Sequence, residues 1–179
     1  RNVGAIPAPM ASQSNSGSGL YLYSSNNQDV YHNSVIYRYG NSGTSCLYIY
    51  AGSGNNVVNN NLMHNGSGHA INIYTTSAVN TLDYNNLFST GNYLASWANT
   101  NQYDLAAYRA ASGKEEHSIS VYPRFTSSSD LHSDSPWLDA KGMALSRVIT
   151  DIDGNARDGS TPDIGADEFT PAAGTTTPL

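Results

Sequence analysis

The fold is decided by a five-residue pattern that occurs three times: Gly19-Leu20-Tyr21-Leu22-Tyr23, Cys46-Leu47-Tyr48-Ile49-Tyr50 and Ala70-Ile71-Asn72-Ile73-Tyr74. In each copy, aliphatic residues alternate with aromatic or amide residues, which predicts a short β-strand with one buried face. The copies start at positions 19, 46 and 70, so they are separated by 27 and then 24 residues. A spacing this regular indicates an internal structural repeat.

A second pattern follows within each repeat, over residues 30–37, 57–64 and 82–89, and predicts a second strand with a turn. The same place in these stretches is occupied by Asn33, Asn60 and Asn85. A repeat of about 25 residues with two or three short strands is typical of one coil of a parallel β-helix, whose coils stack about 4.8 Å apart. The sequence therefore predicts an all-β fold, a right-handed single-stranded parallel β-helix of three to four coils.

Stacking of the coils would place equivalent residues in columns. We expect Asn33, Asn60 and Asn85 to form a ladder of hydrogen-bonded amides at a turn, where asparagine tolerates the left-handed backbone conformation. The one cysteine, Cys46, excludes an intramolecular disulfide and is interpreted as a small buried hydrophobic residue.

The composition changes near residue 98. Residues 1–98 carry two positive and two negative side chains, whereas residues 99–179 carry six positive and twelve negative ones and so account for the net charge of −6. We predict coils over residues 1–98, a capping segment of the same domain over 99–170 with a short helix at 103–111, and a Thr/Pro-rich linker over 171–179. The chain is expected to be a fragment whose flanking domains are missing.

Charge and hydropathy exclude two classes of partner. The acidic balance and the presence of only two lysines argue against nucleic acid, whose phosphates are bound mainly by Lys and Arg. No apolar run is long enough for a membrane span.

Several motifs in the C-terminal half carry a family resemblance. They are Ser118-Ile119-Ser120-Val121-Tyr122-Pro123-Arg124-Phe125, Asp151-Ile152-Asp153-Gly154-Asn155-Ala156-Arg157 and Pro162-Asp163-Ile164-Gly165-Ala166-Asp167-Glu168-Phe169. Together they resemble the C-terminal part of bacterial right-handed β-helix repeat proteins of the choice-of-anchor type. The chain departs from that pattern at Asp167, where the family usually has tyrosine. The resemblance implies a β-helix fold and a secreted or cell-surface location, and it assigns no catalytic residue.

The outward residues of the first pattern are the main candidate ligand-binding face. If the aliphatic residues point inward, an aromatic stripe with one amide lies outside: Tyr21, Tyr23, Tyr48, Tyr50, Asn72 and Tyr74. Aromatic rings flanked by amides suit sugar rings, and this half of the chain has almost no charge, so the expected partner is a neutral polysaccharide. The alternative is that the helix at 103–111 covers this face.

The acidic C-terminal segment offers two interpretations. Its alternating oxygen ligands resemble a calcium loop, although Gly154 comes too early and no glutamate closes it: Asp151, Asp153, Asn155 and Asp158. The other interpretation is structural, with Arg157 pairing with Asp163 or Glu168 to hold the cap in place. No other cofactor is expected.

A catalytic site has weaker support. The predicted coils contain only two carboxylates, at non-equivalent positions, which is poor material for a hydrolase or a metal-dependent lyase. A metal-free site could use Tyr37, Arg38 and His64, since Tyr37 and His64 are equivalent in adjacent coils. The leading hypothesis is therefore a non-catalytic extracellular module that contacts polysaccharide or acts as a rigid spacer. The alternative is a polysaccharide lyase or glycoside hydrolase whose cleft lies partly outside this fragment.

Overall fold

The computed structural model describes residues 17–171, which form a parallel β-solenoid of about three turns followed by one short helix. The first coil consists of β1 (Ser18–Leu22), β2 (Ser25–Asn26), β3 (Asp29–Tyr31) and β4 (Ser34–Tyr37). The second consists of β5 (Ser45–Ile49), β6 (Gly52–Ser53), β7 (Asn55–Val58) and β8 (Asn61–His64). The third consists of β9 (His69–Ile73), a 3₁₀ turn (Thr76–Ala78), β10 (Val79–Asp83) and β11 (Asn86–Ser89). The predicted stacking of parallel coils is confirmed.

The register of the parallel sheets agrees with the repeat alignment. Leu20 pairs with Leu47 and Leu47 with Ile71, while Tyr21 pairs with Tyr48 and Tyr48 with Asn72. A fourth coil begins with β12 (Ala95–Trp97), which is parallel to β9. It goes no further, because β13 (Thr100–Gln102) turns back and pairs with β12 in the antiparallel direction.

Each predicted second strand is in fact two strands separated by a turn. The turns contain one residue in the left-handed region, namely His32 (φ 51°), Asn59 (φ 59°) and Tyr84 (φ 56°). These residues immediately precede the ladder asparagines. The expectation that the ladder asparagines themselves adopt the left-handed conformation was therefore wrong: the preceding residue makes the bend, and the asparagine side chain turns into the core.

The asparagine side chains form a continuous hydrogen-bonded column inside the solenoid. The Asn33 Nδ2 donates to Asn60 Oδ1 at 2.8 Å, and the Asn60 Nδ2 donates to Asn85 Oδ1 at 3.1 Å. The same oxygens also accept the backbone N–H of the preceding asparagine, at 3.0 and 2.9 Å. All three residues are buried. The column satisfies backbone donors at the turns, where strand pairing is interrupted.

The last amide of the column is closed by residues outside the repeat. The Asn85 N–H donates to Ser118 Oγ at 2.8 Å, and its Nδ2 donates to both carboxylate oxygens of Glu115, at 3.0 and 3.3 Å. Glu115 is fully buried and also accepts a hydrogen bond from Ser118 Oγ. Burial raises the pKa of the Glu115 carboxyl to about 7, although the hydrogen bonds oppose that rise.

A short helix lies beside this closure. Helix α1 (Leu105–Ser112) begins after Asp104, whose side chain accepts the Ala107 N–H at 2.8 Å, and ends at Gly113 in the left-handed conformation. The prediction placed its start two residues too early because the capping role of Asp104 was not recognised. The helix buries Leu105 and Tyr108 and contacts β12 and β13, at the end of the stack.

The remaining residues run back along the side of the coils. The Gly165 N–H donates to the Asn59 carbonyl at 2.9 Å, and the Asn59 side chain bonds both the N–H and the carbonyl of Met143. Only the part up to about residue 121 lies over the end of the stack, where Ile119 pairs with Asn86 in the parallel direction. Residues 1–16 of the predicted coils and 172–179 of the predicted linker lie outside the described residues.

His32 connects this side segment to the first coil and should make the contact sensitive to acid. Its Nδ1 bonds the Gly165 carbonyl at 3.2 Å and its Nε2 bonds the Asn59 Nδ2 at 2.8 Å, a pattern that only neutral imidazole can satisfy. Burial, and then the charge of Arg157, lower the pKa of His32 to about 3. The folded pKa lies below the ordinary value, so this stability is present above about pH 6.5 and is lost as pH falls towards the folded pKa.

We therefore expect His32→Gln, which cannot take up a proton but keeps a donor and an acceptor, to lose less stability than the wild type between pH 7 and pH 4. Urea unfolding at both pH values measures this. The exposed His117, substituted in the same way, is a control of opposite sign: its bond to Asp83 raises its pKa, so its loss should not reduce the acid sensitivity. Equal acid sensitivity of His32→Gln and the wild type would contradict the assignment.

Candidate functional site

An aromatic column crosses the outer face of the sheet formed by β1, β5 and β9. Tyr23, Tyr50 and Tyr74 stack with centroid separations of 5.3 and 4.9 Å and interplanar angles of 9° and 18°. The column arises because tyrosine recurs at one register position, and strand spacing brings the rings within stacking distance. The structure thus brings together three predicted ligand-binding residues.

A second column lies next to the first. Tyr21 stacks on Tyr48 at 5.1 Å and 21°, and Asn72 occupies the following register position. The two columns touch edge to face, at 6.1 Å between Tyr21 and Tyr23 and 6.2 Å between Tyr48 and Tyr50. We call these five tyrosines the tyrosine face. The Asn72 Oδ1 is shielded from solvent and has no hydrogen-bond partner among the described residues.

The tyrosine face is open to solvent. Tyr23 is 62% exposed, Tyr21 53% and Tyr74 43%, while Tyr48 and Tyr50 in the middle are partly buried by their neighbours. Helix α1 lies at the end of the stack, so it does not cover these rings as the alternative interpretation supposed. The strands of this sheet contain no Asp, Glu, Lys or Arg.

The stacking changes what the face can offer a ligand. Rings that stack on one another cover each other's faces, so the inner ring, Tyr50, presents mainly its edge and its hydroxyl group to solvent. The end rings of the column, Tyr23 and Tyr74, each have one face that no tyrosine covers. The column is therefore a row of rings stacked about 5 Å apart that presents ring edges and hydroxyl groups to solvent, and its two end rings are more exposed than the inner one.

Two of the three catalytic candidates, Tyr37 and His64, lie inside the molecule, whereas Arg38 is partly exposed. Tyr37 and His64 stack at 5.2 Å and 12°, and both are buried. The His64 Nε2 bonds Thr44 Oγ1 at 2.9 Å, and burial lowers the pKa of His64 to about 4. The Arg38 guanidinium lies 5.5 Å from the centre of the Tyr39 ring. Burial of both ring side chains fits packing in the core.

The four residues of the predicted calcium loop serve different partners. The Asp151 carboxylate accepts the N–H groups of Asp153 and Asn155, at 2.9 and 2.7 Å, as well as the Asn155 side chain. Asp158 accepts two backbone N–H groups of the following turn. These two carboxylates thus organise the loop, whereas Asp153 bonds His132 Nε2 at 2.9 Å.

Arg157 forms one of the two predicted ion pairs. Its Nη1 lies 3.2 Å from Glu168 Oε2, and it is buried. It also donates to the carbonyls of Gly165 and Ala166, at 3.0 and 2.7 Å. Asp163 is used differently: it accepts the backbone N–H groups of Ala140 and Phe169, and burial raises its pKa to about 6. Arg157 thus holds the final segment mainly through backbone carbonyls.

The comparisons with known proteins add no relative. No family model matches the chain, and comparisons with curated proteins and with solved structures give no match either. Within residues 17–171, no helix has the length and apolar character needed to cross a membrane. The fold and the surface together define a parallel β-solenoid with an open tyrosine face.

Proposed function

We propose that this chain is a non-catalytic module that binds a neutral polysaccharide along the tyrosine face. The observation that carries the proposal is the open, uncharged double column of tyrosines on a rigid sheet. Phenol groups on rings stacked about 5 Å apart suit a polymer with regularly repeated hydroxyl groups, and a repeating ligand can contact several coils at once. Each contact is shallow, so binding should be weak and should depend on several rings together.

We further propose that the module is secreted or at the bacterial cell surface. The support is the resemblance of the segments around Arg157 and Gly165 to choice-of-anchor proteins. The amide- and hydroxyl-rich surface, with charged residues forming only 12% of the chain, suits an extracellular solenoid. On the same resemblance we propose that the chain belongs to a choice-of-anchor β-helix protein. A rigid spacer between other modules is the alternative that the binding test distinguishes.

The middle tyrosine is the residue to test. Tyr50→Ala should weaken polysaccharide binding about tenfold, because it removes a central contact and opens a gap between the two neighbouring rings. Tyr50→Phe should also weaken binding, since the inner ring offers its hydroxyl group rather than its face. Titration calorimetry against soluble neutral glucans, mannans and xylans, chosen from a glycan-array screen, measures both changes.

The control is Tyr103→Ala, which removes a more exposed ring that contacts Tyr93 and lies away from the tyrosine face. Binding in the wild type should change little between low and high salt, because few charges are involved. If no neutral polysaccharide binds, or if Tyr50→Ala and Tyr103→Ala bind alike, the spacer function is favoured.

A further inference from the structure

A group of three possible metal ligands lies in the C-terminal segment, away from the tyrosine face. His132, Asp153 and Asp167 each place one nitrogen or oxygen ligand atom within 4.8 Å of the others. They come from three separate parts of the chain: the hairpin closed by the Phe125–Ser133 bridge, the turn organised by Asp151, and the final segment held by Arg157. The sequence does not indicate this group, because more than ten residues separate each member from the next.

Asp167 is the buried member of this group and lies on its inner side. Asp167 is only 8% exposed. Within the described part of the chain, its carboxylate nevertheless accepts a single hydrogen bond, a long one of 3.3 Å from the Ser133 backbone N–H. A carboxylate removed from water normally has several donors or a cation to compensate it. The Asp167 carboxylate therefore retains capacity for a positively charged ligand on the side of His132 and Asp153.

His132 is held in an orientation that suits coordination. Its Nδ1 bonds the Asp130 carboxylate, and the His132 N–H bonds the same carboxylate at 3.2 Å. Its Nε2 points instead at Asp153 Oδ2, 2.9 Å away. A carboxylate that fixes one ring nitrogen while the other faces the ligand position is the arrangement commonly found around metal-bound histidine.

The site is accessible and strongly acidic. The side chains of His132 and Asp153 are 43% and 53% exposed, so an ion can enter from solvent. Asp130 and Asp151 add two more carboxylates next to the three ligands: Asp130 bonds the imidazole, and the charge of Asp151 acts on Asp167. Even with the Arg157 guanidinium, whose charge interacts with Asp151, four carboxylates around one imidazole leave an excess of negative charge that a divalent cation would reduce.

We propose that His132, Asp153 and Asp167 bind a divalent transition-metal ion of the zinc class, with solvent completing the coordination and Asp130 as a positioning residue. One imidazole and two carboxylates are ligands that Zn²⁺ accepts, whereas Ca²⁺ prefers an all-oxygen set. When the metal binds, it takes the position between Nε2 and Asp153, and any proton held there leaves to solvent.

Such an ion would act as a cross-link. Residues 122–171 contain no helix or strand of their own beyond isolated bridges, so scattered backbone and side-chain hydrogen bonds hold their loops together. An ion shared by three loops binds the folded arrangement and not the unfolded chain, so above the dissociation constant the stability should rise with the logarithm of the ion concentration.

The test uses the full chain after treatment with a chelator. Titration calorimetry with Zn²⁺ should show one equivalent bound, and thermal unfolding should shift upwards with added Zn²⁺ and much less with Ca²⁺. Asp153→Asn, at an exposed position that should not disturb folding, and His132→Gln should each weaken Zn²⁺ binding at least tenfold. Asp130→Asn should weaken it by a smaller factor.

Asp158→Asn is the matched control, because Asp158 belongs to the same acidic segment but lies outside the group. Far-UV circular dichroism verifies that each variant is folded. Absence of Zn²⁺ binding to the wild type, or equal binding by the wild type and Asp153→Asn, would overturn the proposal. Stronger binding of Ca²⁺ than of Zn²⁺ would also overturn it and would favour the predicted calcium loop that begins at Asp151.

Discussion

Replacing Asn60 by leucine should lower the free energy of unfolding by about 4 kcal/mol or more, because several buried groups lose their partners at once. Its Oδ1 accepts two hydrogen bonds from Asn33, and its Nδ2 contacts the Val30 and Val58 carbonyls, at 2.8 and 3.1 Å, and the Asn85 amide oxygen. Leucine has the same branched shape but is larger and can satisfy none of these groups. Urea unfolding with a fitted m-value measures the loss.

The control for this change is Asn80→Leu. Asn80 also belongs to a stacked amide column, since its Nδ2 donates to Asn56 Oδ1 at 3.1 Å, but it lies on the exposed surface. Water can replace the lost bond there, so the cost should stay below about 1 kcal/mol. A loss at Asn60 no larger than that at Asn80 would show that the internal column is not a major source of stability.

Replacing Glu115 by glutamine should stabilise the protein at alkaline pH. The folded pKa of Glu115, about 7, lies above its ordinary value of 4.5. The stability that its buried neutral form provides is therefore complete below the ordinary value and is lost as pH rises through the folded pKa. A shift of this size corresponds to about 3 kcal/mol, which the wild type should lose between pH 4 and pH 8 and which Glu115→Gln should retain.

Glutamine suits this site because it is uncharged and its amide oxygen can accept the hydrogen bonds that Asn85 Nδ2 and Ser118 Oγ donate to the Glu115 carboxyl. The measured quantity is the difference in unfolding free energy between variant and wild type at pH 4 and at pH 8. Subtracting at each pH removes the acid effect of His32, which both proteins share. Glu116→Gln, at the exposed neighbouring position, is the control. A difference that does not change with pH would contradict a buried neutral Glu115.

The repeat was predictable from the sequence because each position in a coil meets the same environment in the next coil. Tyrosine at Tyr23, Tyr50 and Tyr74 and asparagine at Asn33 and Asn60 recur for that reason. The turn geometry was not predictable in the same way. The residues that adopt positive φ immediately before the three ladder asparagines are a histidine, an asparagine and a tyrosine, so no shared residue type marks these turns.

The end of the stack could be predicted in kind but not in detail. A solenoid needs an atypical terminal unit, which the change in composition indicated. Glu115 and Ser118, which bond the last asparagine of the column, have no counterparts in the other coils. They lie about 30 residues from Asn85 in the sequence. The course of residues 122–171 depends on contacts such as that of Gly165 with Asn59, far apart in sequence and without any period.

The reversal of β13 against β12 and the closure at Glu115 also bear on self-association. Parallel coils expose backbone donors and acceptors at an open end, and a second molecule could continue the stack there and form a fibre. At the last coil, the antiparallel turn of β13 (Thr100–Gln102) and the carbonyl of Ile119, which accepts the Leu87 N–H at 3.0 Å, occupy those groups. The C-terminal segment thus prevents further β-stacking at the last coil, and removing it should leave a solenoid end that can template aggregation.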